Sequence, residues 1–492
     1  MATIQTSRIG MFIHGGEAWP TDERTFETTD PFAGTVWAEV ADGGIPDVEA
    51  AVRSAQNALT GEWGALTPPA RGRLMLAFAD AIDVHADELA MLETRDTGKL
   101  LREMTGQVAA LGDWLRYYAG LADKIEGSVL PTDKASFLVY TRRAPVGVVA
   151  AITPWNSPLL LLMWKLAPAL AAGCPVIVKP SEYTSASTVR LAQIAVGAGL
   201  PPGVFNVVTG WGPAVGRALT THPGIAKVAF TGSTETGRAV AAAAAEGFKR
   251  VTLELGGKSA QIVFPDADLE AATNGILAGI FAATGQTCMA GSRLLVHRDI
   301  ADELVRRLVA RAHTITLGDP SSPATQMGPI ANERQFHRVL GFIDEAVREG
   351  ATVACGGRAA GLGGFFVEPT ILTDIPAGAR ILQDEVFGPV LGVVPFDDES
   401  EAVERANGTE FGLAGAVWTR DIQRAHRVAG RLRAGSVWIN AYRTVAPQVP
   451  FGGFGASGMG RENGPHAVDE YLETTAVWVE LSGATRDPFV LG

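Results

Sequence analysis

The sequence predicts an α/β protein centred on an open parallel sheet of the dinucleotide-binding type. Three observations carry that prediction. Short β-rich stretches recur between residues 146 and 253, helix-like stretches fill the gaps between them, and glycine- or hydroxyl-rich turns follow several of the strands.

Residues 47 to 122 read mainly as amphipathic helices, clearest over Asp47 to Leu59 and Arg71 to Thr94. The strands then fall at Val146 to Ile152, Pro175 to Val178, Val204 to Val208, Lys227 to Phe230 and Arg250 to Leu253. Strand, helix, strand at this repeat length implies right-handed crossovers and a sheet covered on both faces. Pro158 to Val178 is apolar, but Lys165, Pro168, Gly173 and Pro175 would charge or break a membrane span. It is expected as a buried helix, a turn and a buried strand. A second α/β region runs from about Ser259 to Asn440, with glycine joints at Gly356-Gly357 and Gly363-Gly364. Ser136 to Arg143 and Tyr471 to Glu480 alternate like strands. Each is expected as an edge open to a partner, unless the two form a hairpin within one chain.

A chain of 492 residues, 47% hydrophobic, can bury more than one core, so two or three domains are expected. The net charge of −12, without a dense Lys/Arg block, argues against a nucleic-acid surface. The N-terminus lacks the apolar core of a signal peptide, so a cytoplasmic, reducing compartment is expected. Cys174, Cys288 and Cys355 are far apart with no Cys-x-x-Cys, and the histidines show no His-Glu-x-x-His, so no metal is expected.

Ligands of open parallel sheets bind beyond the carboxyl ends of the strands. Three loops lie there. Gly210-Trp-Gly-Pro-Ala-Val-Gly216 has one residue too many for the Gly-x-Gly-x-x-Gly fingerprint, and an ordinary strand-to-helix turn explains it as well. In Phe230-Thr-Gly-Ser-Thr-Glu-Thr-Gly237 a strand ends and a helix begins. Free backbone N–H groups and the Ser233 hydroxyl could hold a pyrophosphate there, or Ser233 or Thr234 could cap the helix. Lys179-Pro-Ser-Glu182 suits an adenosine ribose, with the carboxylate opposing a 2′-phosphate; a solvated ion pair is the alternative. Cys288, in Phe281-Ala-Ala-Thr-Gly-Gln-Thr-Cys288-Met-Ala-Gly, follows an apolar helix-like stretch and has small neighbours. That setting suits a nucleophile as well as a small buried hydrophobe.

Eight motifs in order resemble the NAD(P)-dependent aldehyde dehydrogenase superfamily: Ala151-Ile-Thr-Pro-Trp-Asn-Ser-Pro158, Lys179-Pro-Ser-Glu182, Phe230 to Gly237, Leu253-Glu-Leu-Gly-Gly-Lys-Ser259, Gly285-Gln-Thr-Cys288, Glu385-Val-Phe-Gly-Pro389, Pro450-Phe-Gly-Gly453 and Gly458-Met-Gly-Arg-Glu462. The likeness covers nearly the whole chain. It implies an aldehyde dehydrogenase-like α/β fold with a Rossmann-type parallel-sheet cofactor domain, an α/β catalytic domain and a small β bridging domain. The implied boundaries are 1–122 and 146–256 for the cofactor domain, 257–456 for the catalytic domain, and 123–145 with 470–492 for bridging. The bridging segments would pair subunits into homodimers or homotetramers.

The resemblance also implies roles. Cys288 matches the nucleophile that attacks the aldehyde; the thiohemiacetal passes hydride to the nicotinamide, and water hydrolyses the thioester. Asn156, with the Cys288 backbone N–H, matches the oxyanion donors, and Glu254 the general base, its pKa raised by burial among Leu253, Leu255 and Gly256. Glu385 matches a ligand of the nicotinamide ribose and Phe387 the residue beside that ring. Ile152, Thr153, Pro154, Trp155, Lys179, Ser181, Glu182, Gly212, Gly216, Phe230, Thr231, Gly232, Ser233 and Leu255 complete the cofactor set, favouring NAD over NADP without excluding NADP. Glu462 and Lys165 resemble a second acid and a buried lysine behind the site.

The aldehyde would be lined by Ser157, Leu160, Leu161, Trp164, Thr287, Met289, Val445 and Phe451. Many relatives carry a bulky aromatic where Ser157 stands, which implies a wider mouth. Arg443, in a loop resembling the substrate-facing loop, could hold the carboxylate of a semialdehyde acid, or be solvated or paired to a nearby acid. Two other functions stay open. A CoA-acylating relative would release an acyl-CoA, which the retained Glu254 argues against. A silent binding protein on the same fold would have no need of Cys288, Asn156 and Glu254 together.

Overall fold

Two parallel sheets carry the fold, and the strand order of the first decides where its ligands go. Its parallel strands are β1 (Val149–Ile152), β2 (Val176–Lys179), β3 (Phe205–Val207), β4 (Lys227–Thr231) and β5 (Arg250–Glu254). They lie in the order β5-β4-β1-β2-β3. The chain steps outward from β1 through β2 to β3, then returns to the far side of β1 for β4 and β5. That reversal opens a crevice between the carboxyl ends of β1 and β4, the place where an open α/β sheet takes its ligand. Ile152 pairs with Phe230 and Thr231 with Glu254, so these strand ends are level. Short antiparallel strands flank the sheet, Gly458–Met459 beyond β5, and Met11–Ile13 with Gly16–Ala18 beyond β3. The structure is a computed structural model and describes residues 7–483 with Asp487 and Phe489.

Strands β1 to β4 are buried throughout, as near-continuous Val/Ala/Ile/Phe runs require in a sheet covered on both faces. One cover is helix α1 (Pro158–Ala172), of which every residue but Leu160 is buried. It begins with Pro158 in its first turn and ends at Gly173, whose φ of 94° makes the left-handed turn into β2. The expected helix, turn and strand are therefore found. Among the described residues no helix is long and apolar enough to cross a membrane.

The second sheet runs in the order Thr352–Cys355, Thr370–Thr373, Val390–Phe396, Arg293–His297, Ala260–Val263, Ala414–Trp418 and Ser436–Ile439, parallel except for the first strand. Leu255-Gly-Gly-Lys-Ser259 is the chain's passage from β5 into this sheet.

Three details differ from the sequence expectation. Arg71 to Thr94 is two helices, Pro68–Val84 and Ala86–Thr97, broken at His85. Asp87 and Glu88 occupy the first turn of the second helix, and His85 Nδ1 lies 3.0 Å from Glu88, so the acids favour a fresh N-terminus there. The extra residue in the Gly210 to Gly216 loop is taken up by a π-helical turn, Gly212–Gly216. The two strands expected as separate edges pair with each other: Phe137–Pro145 runs antiparallel to Leu472–Glu480 from Phe137↔Glu480 to Pro145↔Leu472, with Val129–Leu130 on the other side. Of the expected domains, residues 1–6 at the N-terminus and 484–486, 488 and 490–492 of the second bridging segment lie outside the described residues.

Gly458 sits opposite Glu254 in the edge pairing, at φ 129°, and a Cβ there would lie 2.0 Å from the Leu253 carbonyl oxygen. Gly458→Ala is expected to detach this edge at a cost of about 2 kcal/mol or more, read as a lower unfolding temperature in a thermal scan. An unchanged unfolding temperature would show that the edge carries no stability.

Candidate active site

Cys288 is positioned by a turn that an ordinary sequence would avoid. After the helix Leu269–Ile280 the chain runs through Ala283 (φ 53°), Thr284 (φ 55°) and Gly285 (φ 67°), three consecutive left-handed residues. Neighbouring segments hold them there. Ala283 N donates to Glu103 Oε1 (3.0 Å), Thr284 Oγ1 to the Gly328 carbonyl (3.1 Å) and Gln286 Nε2 to the Pro329 carbonyl (3.2 Å). Ala331 N closes the clamp by donating to Gln286 Oε1 at 2.9 Å. Two glycines let the backbone approach. A Cβ on Gly285 would lie 2.1 Å from the Gly388 carbonyl oxygen, and one on Gly257 would lie 2.5 Å from the Cys288 carbonyl oxygen.

Asn156 arrives from the carboxyl end of β1. Its Nδ2 donates to the Gln286 carbonyl at 3.0 Å, which brings the amide to the turn that carries Cys288 and leaves its second hydrogen unused. The segment after it is fixed by Glu93, whose Oε1 accepts from Leu159 N (3.1 Å) at the start of α1 and from Ser187 Oγ (3.0 Å) in the helix Ala186–Gly197. Glu254, the last residue of β5, is buried, and its Oε2 has no hydrogen-bond partner in the protein. Burial, then the negative charge of Glu462, hold its carboxyl well above the usual range, with Lys165 and Arg461 opposing. Burial first, then the carboxylates of Glu254 and Glu385, push the Cys288 thiol up to about 12. The three residues singled out in the sequence thus come together from separate elements.

Behind Glu254 lies a buried polar chain. Lys165 Nζ, within α1, bonds Glu462 Oε1 and donates to Thr231 Oγ1 at 2.6 Å. Thr231, expected among the cofactor residues, therefore has its hydroxyl engaged by Lys165. Among the described residues no ion pair joins Glu254 to Lys258, four residues on; Lys258 faces Glu385 and Asp384.

The cofactor residues fall along the same carboxyl edge. Ile152, Phe230 and Leu255 line one core cluster, with Gly232 and Ser233 directly after β4. The Ser233 hydroxyl accepts from Thr236 N at 3.2 Å, capping helix Thr234–Glu246 and leaving its first-turn N–H groups at the crevice. Lys179 Nζ, at the end of β2, donates to Glu182 Oε2 (3.2 Å) and the Pro180 carbonyl (2.9 Å), and Tyr183 N donates to Ser181 Oγ (3.3 Å). The pair is not a solvated one, because Lys179 is buried. Gly216 is buried in the π-turn, its absent Cβ facing Lys179 at 3.9 Å, while nothing stands near the Cβ position of Gly212.

Glu385 accepts from Gly257 N at 3.0 Å, and a Cβ on Gly256 would meet its Oε2 at 2.5 Å. Burial pushes its carboxyl up to about 7, opposed by that N–H and by Lys258. Phe387, at φ 58°, sets its ring edge-on to Trp155, with centroids 5.1 Å apart and Pro154 adjoining. A dinucleotide fits this edge. It offers a helix N-terminus for phosphate, a lysine and carboxylate for a ribose, a second carboxylate, two aromatic rings, and in Thr153 Oγ1 a buried polar atom without a partner.

On the other side of Cys288 the lining is apolar. Leu161, Trp164, Met289 and Phe451 belong to one buried cluster, with Leu160, Cys288 and Val445 packed against it. Trp164 and Phe451 have ring centroids 5.0 Å apart, and Thr287 is buried beside Cys288. The expected wide mouth at Ser157 is not empty, because Lys99 Nζ donates to Ser157 Oγ at 2.8 Å. Arg443 is half-buried, and among the described residues no ion pair joins it to an acid; it sits at φ 65° and its Nη1 donates to the Ala278 carbonyl at 2.9 Å.

Sequence reasoning missed Lys99, Glu103, Gln335 and Arg338. Gln335 Nε2 donates to the Val386 and Phe387 carbonyls (both 2.9 Å) and Arg338 Nη2 to the Glu385 carbonyl (3.1 Å), pinning that loop. The available signal was slight. Lys99 follows Gly98, a helix-ending glycine at φ 72°, where a lysine usually serves the helix end in solvent.

The architecture and these strand-end loops have known counterparts. The model of the Aldehyde dehydrogenase family matches residues 19–477. A (Z)-2-((N-methylformamido)methylene)-5-hydroxybutyrolactone dehydrogenase of Acinetobacter baylyi is 45% identical over 469 residues, 95% of this chain and 96% of the relative. A phenylacetaldehyde dehydrogenase of Pseudomonas fluorescens is 44% identical over 477 residues, 95% of each chain. The solved NAD+ complex of an aldehyde dehydrogenase from Bacillus cereus superposes with a TM-score of 0.95 at 44% identity, covering 97% of both chains. With both sheets and nearly all of the sequence matched, the chain belongs to the aldehyde dehydrogenase family of NAD(P)-dependent oxidoreductases.

Proposed function

We propose that the protein oxidises an aldehyde to its carboxylic acid with NAD, using Cys288 as nucleophile, Asn156 as oxyanion donor and Glu254 as general base. The observation that carries this reading is their convergence at one crevice, with Glu254 Oε2 buried and unpartnered on that side. The thiol starts protonated. Its proton passes to Glu254, the sulfur bonds the carbonyl carbon, and the displaced π electrons move to oxygen. The free Asn156 N–H and the Cys288 backbone N–H receive that charge, each such donor worth a few kcal/mol, about 10²–10³ in rate. NAD, when bound, supplies the two-electron acceptor for the oxidation. Once Glu254 has given up that proton it takes one from water as the water oxygen attacks the thioester carbon; the C–S bond breaks, the acid leaves, and the departing sulfur takes the proton back to restore the thiol. Glu462 and Lys165, buried behind Glu254, are suited to carrying protons away from it.

Hydrolysis rather than transfer to CoA is supported by the base that water needs. Glu182, held beside Lys179, would oppose a 2′-phosphate and favours NAD over NADP. Ile152 to Trp155, Lys179 to Glu182, Gly212, Gly216, Phe230 to Ser233, Leu255, Glu385 and Phe387 would hold the cofactor. In this reading 1–122 and 146–256 form the cofactor domain, 257–456 the catalytic domain, and 123–145 with 470–492 the bridging segments. Exposed Val129, Leu138, Trp478 and Val479 on the three-stranded sheet support pairing of subunits into a homodimer or homotetramer. Three free cysteines fit a reducing, cytoplasmic compartment.

Cys288→Ala is expected to abolish NADH formation with a panel of aldehydes, and CoA to leave the wild-type product an acid; turnover by the alanine variant would overturn the nucleophile. Because the folded pKa of Glu254 is raised, its basic form gains as pH rises, and kcat/KM should climb from neutral to alkaline pH. In Glu254→Gln the charge opposing the thiolate is gone, so the midpoint of iodoacetamide alkylation of Cys288 should move to lower pH. An unmoved midpoint would mean the two groups do not interact. Light scattering should give a mass of two or four chains; a monomer at micromolar concentration would count against subunit pairing.

A further inference from the structure

Two cations lie on segments that flank Cys288: Arg443 follows Tyr442, whose hydroxyl donates to the Met289 carbonyl at 2.7 Å, and Lys99 reaches Ser157, the neighbour of Asn156. Arg443 adopts a left-handed φ of 65°, which an arginine holds only when its surroundings impose it, and its guanidinium reaches back to the Ala278 carbonyl in the last turn of the helix leading to Cys288. One N–H of the fork is used. Lys99, 2% exposed, donates to Ser157 Oγ, next to Asn156, with two ammonium hydrogens left over. Arg443 disfavours the charge on Lys99, and Cys288 interacts with both, so the three groups share one electrostatic neighbourhood. Burial lowers the pKa of each cation, that of Lys99 to about 8.

The facing anions do not balance them. Glu103 acts on both cations, with one oxygen taken by Ala283 N and the other buried without a partner. Glu93 is committed to Leu159 N and Ser187, and burial pushes its carboxyl up to about 7, so it supplies only part of a charge at neutral pH. Among the described residues neither cation forms an ion pair with either carboxylate, so both keep buried donors that an incoming anion can satisfy.

We propose that the substrate is an aldehyde bearing a distal carboxylate, which the guanidinium of Arg443 and the ammonium of Lys99 hold while Ser157 completes the contact. This rests on the reading of Cys288 as the nucleophile. The arginine fork matches a carboxylate with paired donors, Lys99 adds a point charge, and the Ser157 hydroxyl, having accepted from Lys99, is free to donate. A neutral aldehyde of the same length reaches Cys288 but leaves both cations as they were, so the site discriminates between the two.

The test compares kcat/KM for succinate semialdehyde and butyraldehyde, which share chain length and differ in the carboxylate. The wild type is expected to prefer the acid by at least tenfold. Arg443→Gln should lower kcat/KM for the acid about 30-fold more than for butyraldehyde, mainly through KM, and Lys99→Met should shift the ratio in the same direction. Equal losses on both substrates, or a wild type that oxidises butyraldehyde as efficiently as the acid, would overturn the carboxylate. The wild-type ratio decides even if a variant fails to fold. Activity toward neither aldehyde, or activity surviving in Cys288→Ala, would instead overturn the reaction on which the inference rests.

Discussion

The site depends on backbone meeting backbone where the two parallel sheets join. Gly257, leaving β5 for the second sheet, lies against the Cys288 carbonyl, and Gly285 lies against the Gly388 carbonyl of the Glu385 loop. Any side chain at either position would part three strands of chain that must touch. Because they touch, Cys288 from one sheet, Glu254 from the end of the other and Glu385 from a third loop, the proposed nucleophile, base and cofactor ligand, face one volume. The parallel order β5-β4-β1-β2-β3 supplies the other half of the geometry, since the ends of β1, β4 and β5 are level at the reversal.

The electrostatics of that volume follow from its dryness. Glu254, Glu385 and Glu93 are all pushed toward their neutral forms mainly by burial, and Lys99 and Lys258 likewise, so small relocations of a proton change which groups carry charge. The Lys165–Glu462 pair, fully enclosed and joined to Thr231, places one fixed ionic contact behind Glu254. Such a pair adds little net stability against an apolar replacement, but breaking it would strand a charge. Its position beside Glu254 makes function the better reason for its presence.

The strands, α1 and the strand-end loops were legible because each is a local pattern: an apolar run, a proline start, a glycine stop, a hydroxyl at a helix N-terminus. What was not legible is what distant segments do to one another. Alternation marked Ser136 to Arg143 and Tyr471 to Glu480 as strands, yet nothing in either says that its partner is the other, more than three hundred residues away. Lys99 reads as a solvent-side helix end and becomes a buried neighbour of Ser157 only when α1 is laid against it. The left-handed turn at Ala283 and Thr284 carries no glycine signal at those two positions, because the tertiary hydrogen bonds they donate to Glu103 and Gly328 impose it. Arg443 was visible as an odd residue in its loop; its reach to Ala278 was not.

That turn also bears on how such a protein could be stabilised. Ala283 and Thr284 each sit where an L-residue is disfavoured by about 1–2 kcal/mol, and the neighbouring clamp makes up the difference. A selection for heat resistance alone would reward substitutions that let this stretch relax, and every such relaxation would carry Cys288 away from Asn156. The turn is therefore a place where thermal robustness and catalytic competence pull against each other, and consensus-style stabilisation is better directed to the outer helices than to residues 281–289.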